Sequence, residues 1–193
     1  MPKTRTSSDK SEAILSAALT LFVERGYHGT AVPAVARLAG VAAGTIYTYF
    51  DNKQALVNAL YQKWKGAIAQ SVVTKFPVTG DPRTQFSTIW KQMFEFAKTH
   101  PDAFTFLELH HHASYLDEDS KAVERNLKAF GAQFVERAQS LGALKPMAPM
   151  ILMELIFGAF NGVFRAANEG RIVLDAETIQ ATEDACWDAV RAQ

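Results

Sequence analysis

The sequence predicts an all-α protein, and three observations support this fold class. Apolar residues recur at helical spacing along most of the 193-residue chain, whereas the alternating, turn-bounded runs typical of strands are scarce. Residues that favour helix starts, such as aspartate, threonine and proline, and glycines that favour helix ends bound about nine segments. The composition, with 48% hydrophobic and 21% charged residues, is that of a globular protein and is too apolar for a disordered chain.

The first predicted helix spans residues 9–26. Asp9 is a suitable cap, Glu12 completes a capping-box-like pair with it, and Gly26 is a typical terminator. The apolar residues of this segment share one face of the helix: Ile14, Ala18, Leu21 and Phe22. We therefore expect this face to pack against a core.

Three helices follow in quick succession. Thr30 is the predicted N-cap of a short second helix that ends at Gly40, and a third short helix is expected over residues 43–50. Asn52 and the aspartate before it form the turn and cap of a longer fourth helix, predicted over residues 53–74.

The loop over residues 77–82 is the clearest break in the chain, because it is rich in proline, glycine and aspartate. Five further helices are predicted after it: over residues 84–100, from 101, over 117–141, over 146–168 and over 176–191. This pattern predicts a C-terminal helical bundle.

The segment between the first and fourth helices has the features of a helix-turn-helix. Ala36 is small enough to let two short helices cross closely, and Gly40 accepts the positive φ of the turn. Val41 and Ile46 pack the second of these helices against the first, so that it can enter a DNA major groove. Its outward side carries hydroxyls and small residues suited to DNA contact: Ala43, Gly44, Thr45, Tyr47, Thr48 and Tyr49. Lys53, which starts the fourth helix, adds a cation for a phosphate.

Glycines, aromatics and one lysine follow a specific spacing over about residues 10–56: Gly26-Tyr27, Thr30, Val35-Ala36, Ala39-Gly40-Val41, Gly44-Thr45-Ile46-Tyr47, Tyr49-Phe50 and Lys53. This pattern resembles the N-terminal domain of the TetR (TetR/AcrR) family of transcriptional regulators. The resemblance implies a homodimeric repressor that binds double-stranded operator DNA and whose second domain binds a small-molecule inducer. It also implies which residues contact DNA: Thr30, Thr45, Tyr47, Tyr49 and Lys53 at the backbone, with Ala43 and Thr48 helping to read bases.

One residue departs from that family's pattern. Where the family most often has a serine or threonine capping the recognition helix, this chain has Ala42, which cannot accept a hydrogen bond from the next turn. The missing cap costs about 1 kcal/mol of helix stability. We expect a DNA-binding domain over residues 1–52 and a ligand-binding and dimerisation domain over 53–193, connected by the helix over 53–74.

Two stripes in the C-terminal part suggest how a dimer would form. In the helix predicted over 146–168, small residues lie nearly opposite an aromatic stripe, and the last helix carries a modest apolar stripe. The candidate interface residues are Gly158, Gly162, Ala166, Cys186, Ala189 and Val190. Pairing both helices with their symmetry mates would form a four-helix interface. Packing within one chain is the alternative, and the family resemblance favours the dimer.

A ligand pocket is predicted from the density of large apolar side chains. The candidates lie at helical spacings on separate helices: Trp90, Met93, Phe94, Phe104, Phe130, Phe134, Phe157 and Phe164. Each one taken singly is more typical of a core than of a ligand contact. Glu108 and Glu154 are the acids that could face inward, so we expect an apolar or aromatic ligand of modest polarity.

The three consecutive histidines, His110, His111 and His112, do not predict a metal site. Successive helical residues point about 100° apart, so only Glu108 and His112 share a face. No cofactor or metal is predicted, and no nucleophile–base pair or phosphate-binding loop indicates an enzyme. Two alternatives stay open: an enzyme that uses the cluster around His112, and a small-molecule or partner-binding helical module that does not bind DNA.

The formal net charge is zero, with 20 basic and 20 acidic side chains, and as an average this argues against a nucleic-acid partner. The charges are unevenly distributed, however. Residues 1–65 carry eight bases and four acids, so this part has a charge of +4 and the remainder −4. The basic part coincides with the helix-turn-helix. We find no segment that resembles a signal-peptide core or is long enough to span a membrane, and therefore expect a cytoplasmic protein.

Overall fold

A computed structural model describes residues 7–109 and 114–193 of the chain. These residues form nine helices and no strand, which confirms the predicted all-α class. The helices are α1 Ser7–Gly29, α2 Val32–Ala39, α3 Ala43–Tyr49, α4 Lys53–Lys75, α5 Pro82–Thr99, α6 Pro101–Leu109, α7 Glu118–Ser140, α8 Pro149–Asn168 and α9 Ala176–Val190.

Helix α1 is longer at both ends than predicted. It begins at Ser7, so Asp9 lies in the first turn rather than at the cap, where its carboxylate still faces the positive end of the helix dipole. Gly26 interrupts the helix without ending it. Its backbone has φ 67° and ψ 175°, a left-handed φ that glycine adopts without strain, and the chain continues to Gly29.

Helix α8 begins at Pro149, later than the predicted residue 146. Proline fits the first turn of a helix because its φ is already helical and its missing N–H would have no partner there, whereas Ala148 before it is extended with ψ 131°. Helix α9 starts as predicted. The Asp175 side chain caps it by accepting a hydrogen bond from the Thr178 N–H.

The chain divides into two compact units. The first comprises the described residues of Met1–Gly66 and of His100–Val123, and the second comprises Ala67–Thr99 and Glu124–Gln193. Helix α4 contributes residues to both units.

The first unit is built on α1, which packs against α2 and α6. The predicted apolar face of α1 is buried, and Phe22 stacks against Phe106 of α6 with 6.1 Å between ring centroids. Val35 and Ala36 of α2, together with Ile46 of α3, complete this part of the core. Burial of these side chains fixes how the three N-terminal helices cross.

The second unit contains an aromatic cluster between α5 and α8. The Phe94 and Phe160 centroids are 4.3 Å apart, and the Trp90 ring meets both at 5.5 and 5.6 Å. Trp90, Phe94 and Phe160 are all almost fully buried. Helix α9 packs on α5 and α8 and completes this core.

Helix α8 is also the one helix in the described part of the chain that is long and apolar enough to cross a membrane, by length and composition only. The expectation that no segment reaches this length is therefore wrong for α8 on this criterion, since its most apolar 18 residues have a mean hydropathy of 1.4. Core helices of globular proteins pass the same test of length and composition, but they are mostly buried, whereas 28% of this window is buried inside the protein.

Candidate nucleic-acid interface

The turn between α2 and α3 has the geometry that the sequence predicts. Gly40 adopts φ 67° and ψ 37°, and its N–H points at the carbonyls of Ala36 and Arg37 at the end of α2. The Val41 N–H then donates to the Ala36 carbonyl at 3.0 Å, which closes a Schellman-like end. A side chain at position 40 would be strained, because this φ lies in the left-handed region.

Helix α3 is short and is anchored through one residue. Ile46 is 1% exposed and is the buried residue of the helix. The N-cap Ala42 is extended and makes no side-chain capping bond, as expected for alanine. At the other end, the Phe50 N–H donates to the Ile46 carbonyl. Since Ile46 faces the core, the opposite side of the helix faces outward.

The outward side of α3 contains the predicted contact residues. Ala43, Gly44, Tyr47 and Thr48 are exposed, and Thr45 and Tyr49 are half-buried. Tyr47 is 54% exposed. A large aromatic residue is usually more buried than this, so packing does not explain a tyrosine at this position. The Tyr49 hydroxyl shares a hydrogen bond of 3.1 Å with Ser7 Oγ at the start of α1. Small and hydroxyl-bearing side chains therefore line one accessible surface.

Thr30 does not lie on this surface. It is 2% exposed, and its Oγ1 donates to the carbonyls of Leu21 and Gly26, each at 2.9 Å. The residue is also not the cap of α2, because that position is taken by Ala31. Both sequence-based roles, cap and phosphate contact, are corrected by the structure: the hydroxyl is used inside the protein to hold the end of α1.

Lys53 is the first residue of α4, and its ammonium lies over an aromatic ring. Nζ is 4.3 Å from the centroid of Tyr27. In the described part of the chain no carboxylate lies within ion-pair distance of Nζ, and partial burial lowers the pKa of this ammonium below its ordinary value. Asn52 caps α4 by accepting from the Ala55 N–H at 2.8 Å, which fixes the backbone from which Lys53 extends.

Tyr27 was missed as a functional candidate by reasoning from the residues. Its ring stacks on Tyr115 with 4.2 Å between centroids. The signal for Tyr27 was present, since an aromatic residue follows Gly26 in the motif. No sequence signal connected it with Tyr115, which is distant in the chain.

The basic charge of residues 1–65 is only partly free of acid partners. Three cations of this segment are paired with acids: Arg25 with Glu24, Lys63 with Glu12 and Lys65 with Glu108. Among the described residues of the segment, Lys10, Arg37 and Lys53 have no acid within 4.0 Å. Lys3 and Arg5 lie outside the described residues. A small number of cations, rather than the total charge, is therefore available for a phosphate.

The predicted dimer residues fall on two faces. Gly158 and Ala189 are exposed and Gly162 is half-buried, and a Cβ added at either glycine would meet nothing within 4 Å. Ala166, Cys186 and Val190, by contrast, are buried inside the unit. They pack within one chain, which corrects their assignment to the outer stripe. The exposed face instead includes residues not predicted: Met150, Ile151, Leu155 and Ala159 on α8, and Ala181 and Ala185 on α9.

The predicted pocket residues form separate groups. Trp90, Met93 and Phe94 are buried on α5 and Phe164 on α8, while Phe157 is half-buried. Phe130 and the buried Phe134 lie on α7 with Phe76 near both, at centroid distances of 5.1 and 6.4 Å. Phe104 is buried in the first unit, so it does not join the others. Helical periodicity indicated that Phe104 faces a core but not which core.

Three buried polar atoms in the second unit accept or donate no hydrogen bond within the described residues; one is Glu183 Oε2, which has the Lys91 ammonium at 3.6 Å, and the other two lie on α5 and α8. The indole nitrogen of Trp90 and the Oδ1 of Asn161 on α8 have no hydrogen-bond partner within the described residues. A buried polar group without a partner is destabilising. A ligand with complementary polar atoms could supply such a partner.

Neither acid predicted for the pocket faces an apolar interior. Glu108 pairs with the Lys65 ammonium in the first unit, and Glu154 is exposed on α8. His110, His111 and His112 lie outside the described residues. Within the described residues, no group of three or more histidine, cysteine or acidic side chains could hold a metal ion.

Comparisons with known proteins agree over nearly the whole chain. The family model described as bacterial regulatory proteins, tetR family, matches residues 14–60, and that of the tetracyclin repressor-like C-terminal domain matches residues 61–192. An uncharacterised HTH-type transcriptional regulator of Bacillus subtilis, YhgD, is 26% identical over 90% of this chain and 92% of its own length. The HTH-type transcriptional regulator RutR of Escherichia coli is 43% identical over 32% of this chain and 29% of its own.

Solved structures share the fold. A TetR family transcription regulator from Marinobacter aquaeolei superimposes with a TM-score of 0.86 at 22% identity, over 96% of this chain and 97% of that one. A TetR-family transcriptional regulator from Haemophilus influenzae gives a TM-score of 0.75 at 24% identity, over 97% and 100%.

Proposed function

The chain belongs to the TetR family of bacterial transcriptional regulators, and on that premise we propose that it is a homodimeric repressor that a small apolar or aromatic molecule releases from its operator. The observation that carries the DNA-binding part is the outward side of α3. We assign residues 1–52 to DNA binding and residues 53–193 to ligand binding and dimerisation. The protein would act on the chromosome, in the cytoplasm.

On DNA, α3 is the recognition helix. The small exposed side chains of Ala43 and Gly44 permit close approach to the groove, and the exposed Tyr47 and Thr48 offer hydroxyls to phosphates or base edges. Lys53 supplies a cation without an acid partner in the described part of the chain. Because the accessible cations are few, hydroxyl and backbone contacts from two protomers supply much of the affinity.

The dimer forms through the exposed faces of α8 and α9. Ile151 and Leu155 are each 49% exposed in the protomer. Neighbouring exposed apolar side chains of this size are typical of a surface that another protein covers. The open space beside Gly158 and Gly162 means that packing within the chain does not require glycine there. A second helix that approaches closely would require it. A twofold pairing of α8 and α9 satisfies both observations.

The inducer binds in the second unit, among the aromatic side chains of α5 and α8. The unpaired indole N–H of Trp90 favours a ligand that carries a carbonyl, ether or hydroxyl oxygen on an otherwise apolar body. Ligand binding would shift the dimer towards a separation of its two recognition helices that no longer matches successive major grooves. Operator affinity would then fall.

The DNA assignment is tested with short duplexes selected from fragmented genomic DNA, by fluorescence anisotropy at several salt concentrations. Tyr47→Ala and Lys53→Ala should weaken binding to every sequence, and Lys53→Ala should also flatten its salt dependence because it removes a charge. Thr48→Ala should alter base preference. Lys75→Ala is the matched control, because it removes an exposed lysine at the other end of the same helix. Equal losses for Lys53→Ala and Lys75→Ala would contradict the assignment.

The inducer assignment is tested by screening apolar and aromatic compounds for those that raise the thermal unfolding temperature. Compounds that stabilise the protein are then added to the duplex complex. An inducer should lower duplex affinity, and its own affinity should fall in Trp90→Phe, which keeps a ring and removes the N–H donor. A stabilising compound that leaves duplex affinity unchanged at saturation is not an inducer.

A further inference from the structure

We propose that Tyr27, supported by Tyr115, is a positioning residue that holds the Lys53 ammonium in place for its phosphate contact. This inference rests on the proposed role of Lys53 in DNA binding. It adds two residues that do not touch DNA themselves, and it states what each one does to the lysine.

The first step is the contact between Lys53 and Tyr27. Nζ lies 4.3 Å from the ring centroid, well inside the range of about 6 Å over which an aromatic face attracts a cation. A lysine side chain has four flexible bonds, so an unrestrained ammonium at the start of α4 would occupy many positions. The ring restricts these positions while leaving N–H donors free to point away from it.

The second step is that no acid competes for the ammonium. Within the described residues, none of the acids lies within 4.0 Å of Lys53 Nζ. An acid at that distance would hold the cation in place too, but it would also neutralise it. The aromatic face orients the cation and leaves its charge for a phosphate.

The third step is that Tyr27 is itself held in place. Its ring stacks on Tyr115 at 4.2 Å with 20° between the ring planes, and Tyr115 is 8% exposed. The Tyr115 carbonyl accepts hydrogen bonds from Gln54 Nε2 at 3.1 Å and from Asn58 Nδ2 at 2.9 Å. Both donors are on α4, the helix that carries Lys53. Lys53 thus contacts Tyr27, Tyr27 contacts Tyr115, and Tyr115 is hydrogen-bonded to the first turns of the helix that carries Lys53.

The backbone on the other side of Tyr27 is also fixed. Gly26 turns the chain with φ 67°, and the buried Thr30 hydroxyl binds the Gly26 carbonyl at 2.9 Å. Phe22 packs against Tyr27 with 6.1 Å between centroids. The Tyr27 ring thus cannot move away without breaking a ring contact or the hydrogen bond that fixes the neighbouring backbone.

The test is a double-mutant cycle on duplex affinity with Tyr27→Leu and Lys53→Gln. Lys53→Gln should weaken binding and lower the salt slope by about one. Tyr27→Leu should weaken binding by about 3- to 10-fold, with no further loss when it is added to Lys53→Gln. Tyr27→Phe keeps the aromatic face and should bind like the unmodified protein. Tyr115→Leu should behave as a milder Tyr27→Leu.

The outcomes separate the two assignments. If Lys53→Gln binds with unchanged affinity and salt slope, the phosphate role of Lys53 fails and the inference fails with it. If Lys53→Gln weakens binding but Tyr27→Leu has no effect, or if the two losses add fully, the positioning role alone is wrong.

A direct measurement does not depend on the folding of the leucine variants. The ε-methylene protons of Lys53 can be assigned by their loss in Lys53→Gln. In the unmodified protein and in Tyr27→Phe they should resonate upfield of those of lysines that lie over no aromatic ring, and further upfield than those of Lys63 and Lys65, whose ammonium groups are farther from a ring at 5.5 and 5.8 Å. Resonances of Lys53 at ordinary lysine positions would overturn the inference.

Discussion

Arg83 on α5 is ion-paired with Glu183 on α9, and the Glu183 side chain is 1% exposed. Nη1 of Arg83 is 2.5 Å from Oε1, while Oε2 accepts no hydrogen bond within the described residues and has the Lys91 ammonium at 3.6 Å. The same guanidinium binds Asp184, whose side chain is 56% exposed. One arginine thus has a buried and an exposed carboxylate partner on the same helix.

We expect Glu183→Gln to lower the free energy of unfolding by about 2–3 kcal/mol, since removing one partner of a buried pair leaves the other charges poorly compensated. The loss should be below that of a fully enclosed pair, because Arg83 is 34% exposed and regains water. Urea denaturation measures this change. Asp184→Asn is the matched control and should cost less than about 1 kcal/mol. Equal losses of unfolding free energy in the two variants would show that the buried Glu183 pair stabilises the protein no more than the exposed Asp184 pair.

Replacing Thr30 separates an internal role from DNA contact. Thr30→Val keeps the shape but removes the hydroxyl proton that the Leu21 and Gly26 carbonyls share, so the free energy of unfolding should fall by about 1–2 kcal/mol. Thr30→Ser keeps the hydroxyl and should lose less. Under conditions where both variants are folded, their duplex affinity should match that of the unmodified protein. A loss of affinity in folded Thr30→Val that Thr30→Ser does not show would instead indicate a phosphate contact by the hydroxyl.

Introducing a charge on the exposed face of α8 should dissociate the proposed dimer. Leu155→Glu would place a carboxylate in the apolar interface of each protomer, twice in a twofold pairing, and should weaken dimerisation by at least about 30-fold. Sedimentation velocity at micromolar concentration measures the association. Val78→Glu is the control, because Val78 is 68% exposed in a loop outside this face. A dimer that tolerates Leu155→Glu would place the interface elsewhere.

The thiol of Cys186 should be unreactive in the folded protein. Burial raises the pKa of this thiol to about 11 from an ordinary 9.0. At pH 8 its thiolate fraction, and with it the rate of reaction with a disulfide reagent, should be lower by about 100-fold than in denaturant. Equal rates in the native and denatured protein would show that the thiol is accessible.

The same shift of pKa affects stability. Between pH 9 and 11 the unfolded chain loses the Cys186 proton while the folded chain keeps it, so the free energy of unfolding falls as the pH rises. Cys186→Ala should remove this component of the slope. Measurements between pH 9 and 10 limit the contribution from ionisation of Tyr115. Burial raises the pKa of this residue to about 12 from an ordinary 10.0.

The helix-turn-helix could be predicted from the sequence because its requirements are local. Ala36, Gly40 and Ile46 lie close together in the chain, and each is needed for a steric reason that its residue type reveals. The cap that Ala42 cannot provide could be recognised for the same reason. These features depend on backbone geometry over a few residues and little on the rest of the protein.

Features that depend on distant residues could not be predicted. The Thr30 hydroxyl binds the carbonyl of Leu21, nine residues earlier in α1, and neither residue type nor spacing reveals this contact. Periodicity showed that Phe104 is buried but could not show in which unit. Cys186 and Val190 lie close to the exposed Ala185 and Ala189 along α9, and only the packing of α9 on its neighbours determines which pair faces outward.

The apolar character of α8 has a consequence for how the molecule responds to its own concentration. Leu152 and Phe160 are buried in the unit, whereas Ile151 and Leu155 on the outer side are each 49% exposed in the protomer and would be covered in the proposed dimer. Folding and association of the protomer would then be linked by mass action, since pairing stabilises the folded state and not the unfolded one. Dilution would lower the melting temperature, and each dissociated protomer would expose an apolar stripe that favours aggregation.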